Sequence, residues 1–179
     1  MGISAISYDV FKTPWGWVGV AFTPRGLCRL ALPRPNRAAV AGEIGILPGD
    51  ILAPLGSFRS ELLAFFLGRG SCPNVPVDLA GVEGFTCRAL NAARTIPPGT
   101  TITYGELARR AGSPRAYRAA GQVMARNPIP LVIPCHRVVA AGGPGGYAGG
   151  LAMKARLLAL ESRGEPMPAR SPLNPGSRE

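Results

Sequence analysis

The sequence predicts a mixed α/β protein of two lobes: a three-stranded antiparallel sheet with helices, then a mostly helical lobe carrying a helix-turn-helix. Three observations lead there. Residues 3–31 alternate apolar with small or polar residues in short pieces divided by turn signals. A Pro- and Gly-rich stretch reaching to Gly84 separates two textures of chain. Beyond it come short helical segments with cap signals and tight turns. At 179 residues the chain can bury a core without disulfide staples. The expected division is 1–80 for the first lobe, 81–165 for the second and a disordered Pro- and Ser-rich tail over 166–179.

The pieces ISAISYDVF, WGWVGVAF and LCRLAL read as a meander, with Pro14 and Pro24-Arg25-Gly26 as its turns. Residues 38–47 are weakly helical. In Phe58 to Leu67 apolar residues recur at helical spacing, and Gly68 ends the helix. Cys72 to Val77 is extended by proline. Thr86 is the expected cap of a helix running to Ile96, stopped by Pro97-Pro98-Gly99. Thr103 with Glu106 three residues on reads as a capping box opening a short helix that Gly112 ends. Ser113 and Pro114 open the next, RAYRAAGQVMARN, with proline in its first turn. This second helix carries Arg115, Arg118 and Arg126, which favours a DNA-binding pair over an ordinary helical hairpin. Ala116, Ala119, Ala120 and Gly121 leave its surface nearly bare, suited to close approach of phosphate and sugar or to tight helix packing. Asn127 to Pro134 reads as extended, the glycine-rich loop Gly142 to Gly150 surrounds Tyr147, and a last helix covers Leu151 to Ser162.

Composition narrows the function. Hydrophobic residues are 46% and charged ones 17%, which excludes wholesale disorder. No apolar run approaches the ~20 residues of a membrane helix. The start MGISAISYDVFK has neither a secretory pattern nor, with Ile6, the myristoylation signal, so an intracellular address is expected. Cys28, Cys72, Cys87 and Cys135 form no C-x-x-C pair, and the single histidine, His136, cannot complete the usual zinc spacings. Free thiols and no metal are expected. Of the net charge of +10, residues 85–165 contribute +8, from 11 basic and 3 acidic side chains. Such a concentration suits a surface that meets a polyanion, most simply nucleic acid.

Cys135 is the expected nucleophile. Neighbouring cations lower a thiol's pKa, and His136 and Arg137 follow it directly. Cys28 sits in a strand, Cys72 precedes a proline, and Cys87, early in a helix, has no histidine beside it. On an extended strand Cys135 and His136 would face opposite ways, so they cooperate only through a turn at Pro134 or a bridging water. A carboxylate to orient His136 has to come from Glu106, Glu161 or Glu165, and Glu161 is the expected one. Three readings fit: a self-alkylating DNA repair protein, a Cys-His hydrolase or acyltransferase, and a module that binds damaged bases without chemistry.

The run PCHRVV, preceded by RAAGQVMARNP and followed by GGYAGG, resembles the O6-alkylguanine-DNA alkyltransferase family, the methylated-DNA-protein-cysteine methyltransferases. The resemblance is dense over residues 85–163 and includes IPPGTTITYGELARRAGSP. It implies a ribonuclease-H-like first lobe and irreversible, single-turnover transfer of the alkyl group from O6-alkylguanine in duplex DNA, and leaves O4-alkylthymine open as a second substrate. Cys135 would take the group, His136 the thiol proton through a water, and Glu161 would polarise the histidine. Tyr104 would hydrogen-bond the base, and Arg118 would fill the gap left by the flipped nucleotide. Arg115, Ala119, Ala120 and Arg137 would meet DNA, while Asn127 would brace the turn behind them. The carbonyls of Cys135 and Val138 would accept the exocyclic amine, with Tyr147 and the Ala148 N–H at the base. Ala148 departs from relatives that carry Ser. The resemblance implies no cofactor and no membrane, a monomer whose cooperativity on DNA is left open, and a cytoplasmic location, or nuclear in a eukaryote.

Overall fold

In the computed structural model, which describes residues 6–46 and 56–162, β1 (Ser7–Thr13), β2 (Gly16–Thr23) and β3 (Gly26–Arg34) form an antiparallel sheet in that order. The expected start of the first strand at Ile3, and the tail beyond 162, lie outside the described residues. Because strand side chains alternate faces, Val10 and Ala31 point to one side, where Val40 and Ile44 of α1 (Arg37–Ile44) cover them. A Cβ on Gly19 would lie 2.3 Å from a Val40 methyl, so this approach needs glycine. The other face sends Phe11, Val18, Val20, Leu30 and Leu32 into the main core, against Phe58, Leu62, Phe65 and Phe66 of α2 (Gly56–Phe66).

That core is continuous. It also takes Leu90 of α3 (Gly84–Arg94), Leu107 of α4 (Tyr104–Arg110), Met124 of α5 (Tyr117–Ala125) and Leu157 of α6 (Leu151–Ser162), so residues on both sides of position 80 share one interior. The outer edge of β3 is covered: Leu27 exchanges hydrogen bonds with Pro76 and Asp78 (2.9 and 2.8 Å), and the Leu30 N–H donates to the Pro128 carbonyl at 3.0 Å.

Several helix boundaries differ from expectation, each for a local reason. α3 starts at Gly84 after Glu83, not at a Thr86 cap. Thr103 does cap α4, accepting from the Glu106 N–H at 3.1 Å, but the Glu106 side chain turns to Arg109 and Arg110 instead of reciprocating. Ser113 to Ala116 form a turn closed by Ala116 N–H to Ser113 carbonyl (2.9 Å), so α5 starts only at Tyr117 and Arg115 precedes it. Asn127 to Pro134 is not extended. It reverses through Leu131 at φ 74°, with Pro130 bridging to Ile133.

Candidate active site

Three local structures bring the site together. Behind Pro134, residues Cys135–Arg137 form a single 3-10 turn, supplying the bend that lets Cys135 and His136 share a site. The next residues, β5 (Val138–Val139), pair in parallel with β4 (Ile102–Thr103), Ile102 opposite Val138. Tyr104, the first residue after β4, is thereby set across from the turn. α6 packs beneath it, burying Lys154, Leu157 and Glu161 at i, i+3 and i+7 of one face.

Cys135 is 4% exposed, yet it lines a cavity of about 360 Å³ with Tyr104, Gly121, Met124, Ala125, Gly146, Tyr147 and Ala148. That volume lies in the range of small-molecule sites. Burial pushes the thiol up to about 11, against a hydrogen bond from Asn127 and the charge of Lys154. Where the sequence leads one to expect His136 and Arg137 to lower this thiol, burial outweighs the lowering influences and raises it.

Arg137 is the second correction. Expected on the DNA-facing surface, it is 6% exposed, and its guanidinium donates to both Glu161 oxygens (2.9 and 2.7 Å) and to the Ile96 carbonyl. Its charge belongs to Glu161. The cation that acts on the sulfur is Lys154, which the sequence reading missed. This lysine is 1% exposed, with Nζ donating to the carbonyls of Val138 (2.6 Å) and Gly146 (3.3 Å). Its signal was its place on the buried stripe with Leu157 and Glu161, where a charge needs partners.

The His136 ring is fully buried, with Nε2 2.8 Å from Glu161 Oε1. Burial raises the Glu161 carboxyl, but the hydrogen bonds from His136 and Arg137 outweigh it and hold it at about 2. Burial also lowers His136 below its ordinary 6.5, despite the opposing effect of Glu161. A neutral imidazole beside a carboxylate must carry its proton on Nε2. Nδ1 is then a lone pair, buried and without a partner among the described residues.

Asn127 bridges the reversal behind Cys135, Nδ2 donating to the Ile133 carbonyl (2.7 Å) and Oδ1 accepting from the Ile129 N–H (3.0 Å). Of the carbonyls expected to face the base, that of Cys135 accepts the Val138 N–H and that of Val138 accepts from Lys154. Tyr104 reaches the Gly146 carbonyl at 3.4 Å, and burial raises its phenol, leaving it a donor at neutral pH. Gly145, at φ +68°, passes so close that a Cβ there would sit 2.8 Å from the Tyr104 ring and hydroxyl. On α5, Arg118 and Ala119 are exposed, whereas Ala120 is completely buried and faces the core instead of a ligand.

A family model described as "6-O-methylguanine DNA methyltransferase, DNA binding domain" matches residues 84–163. A methylated-DNA-protein-cysteine methyltransferase of Mycolicibacterium paratuberculosis is 47% identical over 107 residues, 59% of this chain and 64% of that protein. One from Methanosarcina acetivorans is 45% identical over 155 residues, 86% of this chain and 97% of that protein. The crystal structure of Mycobacterium tuberculosis OGT in complex with DNA superposes with a TM-score of 0.73 at 34% identity, covering 89% of this chain and 95% of that one.

Proposed function

Because the chain belongs to the methylated-DNA-protein-cysteine methyltransferase family, we propose that it repairs duplex DNA by moving the alkyl group of O6-alkylguanine onto its own Cys135, once per molecule. The observation that carries this reading is the cavity of about 360 Å³ lined by Cys135 and Tyr104, with His136, on the same turn as Cys135, hydrogen-bonded to Glu161. An O6-alkyl group lies within the base stack, so the nucleotide must swing out, at a cost of a few kcal/mol. α4 and α5 act as the helix-turn-helix that docks the duplex. The bare surface at Ala119 admits the backbone closely, Arg115 and other cations bind phosphates without regard to sequence, and Arg118 enters the vacated space.

With the base in the cavity, the carbonyls of Cys135 and Val138 accept its exocyclic amine, and the Ala148 N–H faces O6. His136 Nδ1 takes the thiol proton through a bound water, and Lys154 supports the sulfur as it becomes anionic. The sulfur electron pair attacks the alkyl carbon opposite O6. The C–O6 bond breaks, its electron pair stays on guanine, and the Tyr104 hydroxyl offsets that charge. A thioether results. No C-x-x-C partner exists in the sequence to regenerate the thiol, so turnover stops at one.

Intact-mass and peptide spectrometry after incubation with an O6-methylguanine duplex tests this, with O4-methylthymine as a second substrate. The peptide containing Cys135 gains about 14 Da, one methylene, in stoichiometric amount. An unmodified peptide, or repeated turnover, refutes the reading.

A further inference from the structure

Of the large apolar side chains that remain exposed among the described residues, Tyr117 is the only aromatic one, half exposed at the first position of α5. It rises from a surface otherwise stripped of bulk, beside Ala116, Ala119 and Gly121. At about 3.6 residues per turn it stands one turn before Gly121 and about two before Met124, both of which wall the Cys135 cavity. Tyr117 therefore lies along the same edge of the helix as the cavity mouth. The Arg118 guanidinium rests over its ring, 5.5 Å from the centroid.

We propose that Tyr117 is a DNA-positioning residue: its ring parks Arg118 before docking, then packs on the deoxyribose beside the extruded nucleotide once Arg118 has entered the duplex. This rests on the alkyl-transfer reading above. A ring that can accept a cation on one face and an apolar sugar on the other suits both states. In the free protein the stack confines a long, rotamer-rich side chain, so less freedom is lost when Arg118 inserts. In the complex the ring replaces solvent along the groove next to the emptied site.

The test compares single-turnover alkylation by an O6-benzylguanine duplex with alkylation by free O6-benzylguanine, for wild type, Tyr117→Ala and Tyr117→Phe. Tyr117→Ala is expected to slow the duplex reaction about tenfold, the scale of one lost aromatic contact with nucleic acid. The free-base reaction should be unchanged, and Tyr117→Phe should restore the duplex rate to within about twofold, since the ring carries the effect. Emission from 2-aminopurine opposite the lesion should report less extrusion in Tyr117→Ala. An unchanged duplex rate, or equal losses on both substrates, overturns the proposal. Failure of wild type on both substrates removes the reading beneath it, and the proposal with it.

Discussion

Replacing Glu161 by Gln probes the site at its most constrained point, and the chain's single histidine makes the outcome directly observable. In the folded protein the Glu161 carboxyl sits at about 2 instead of 4.5. At about 1.4 kcal/mol per unit, the ionised form contributes roughly 3 kcal/mol to stability at neutral pH. Losing it also leaves the Arg137 guanidinium buried and unneutralised, with only the amide oxygen and the Ile96 carbonyl still able to accept from it. Breaking a buried pair from one side costs about 3–5 kcal/mol. Glu161→Gln should therefore lose that much in urea denaturation. Its kinetics must be measured where circular dichroism shows it folded. There the amide can donate to His136 as readily as accept, so the proton is no longer held on Nε2. Two-bond proton–nitrogen correlation spectra should show the Nε2–H tautomer alone in wild type and a mixture in the variant. Alkyl transfer should slow by about 10²- to 10⁴-fold, the usual worth of a positioned base. A wild-type spectrum with the proton on Nδ1, or a folded variant reacting within about twofold of wild type, would refute the assigned role.

Arg118→Ala should slow repair of duplex substrate about a hundredfold, because the few kcal/mol of unstacking lose their compensation, while filter binding to undamaged duplex weakens only mildly. Gly145→Ala forces a left-handed backbone and a Cβ into Tyr104. It should cost about tenfold in rate on duplex and free base alike, which quench-flow on both substrates would reveal, and undiminished rates would remove Tyr104 from the mechanism. The carboxyl of Glu161 is depressed in the fold, so its stabilisation is complete above 4.5 and disappears as pH falls toward 2. Denaturation curves from pH 6 to 2 should show that loss in wild type and a flatter profile in Glu161→Gln.

Much of this was legible from residue order. The alternation in residues 7–34 locates the strands because one face must meet α1 and the other the main core. PCHRVV points to Cys135 and His136, which the fold places on one 3-10 turn beside the cavity. What escaped depends on burial that only the fold creates. Arg137 looks like a surface cation until Glu161 arrives from α6, and Cys135 looks activated until the cavity walls close over it. Ala120 is as bare as Ala119 in sequence, but one residue of helical rotation sends it inward. Pro114 suggests a helix start, yet it sits in the turn before one. Lys154 was overlooked because an isolated lysine in an apolar helix reads as solvated until two carbonyls are seen beneath it.

The hydrogen bond from Leu30 to the Pro128 carbonyl ties the outermost strand to the segment that Asn127 folds behind the nucleophile. Melting the sheet and disarming the sulfur thus become one cooperative event. On heating, reactivity and strand content should vanish along a single transition, and a lesion-processing half cut free of its sheet would inherit a slack hinge.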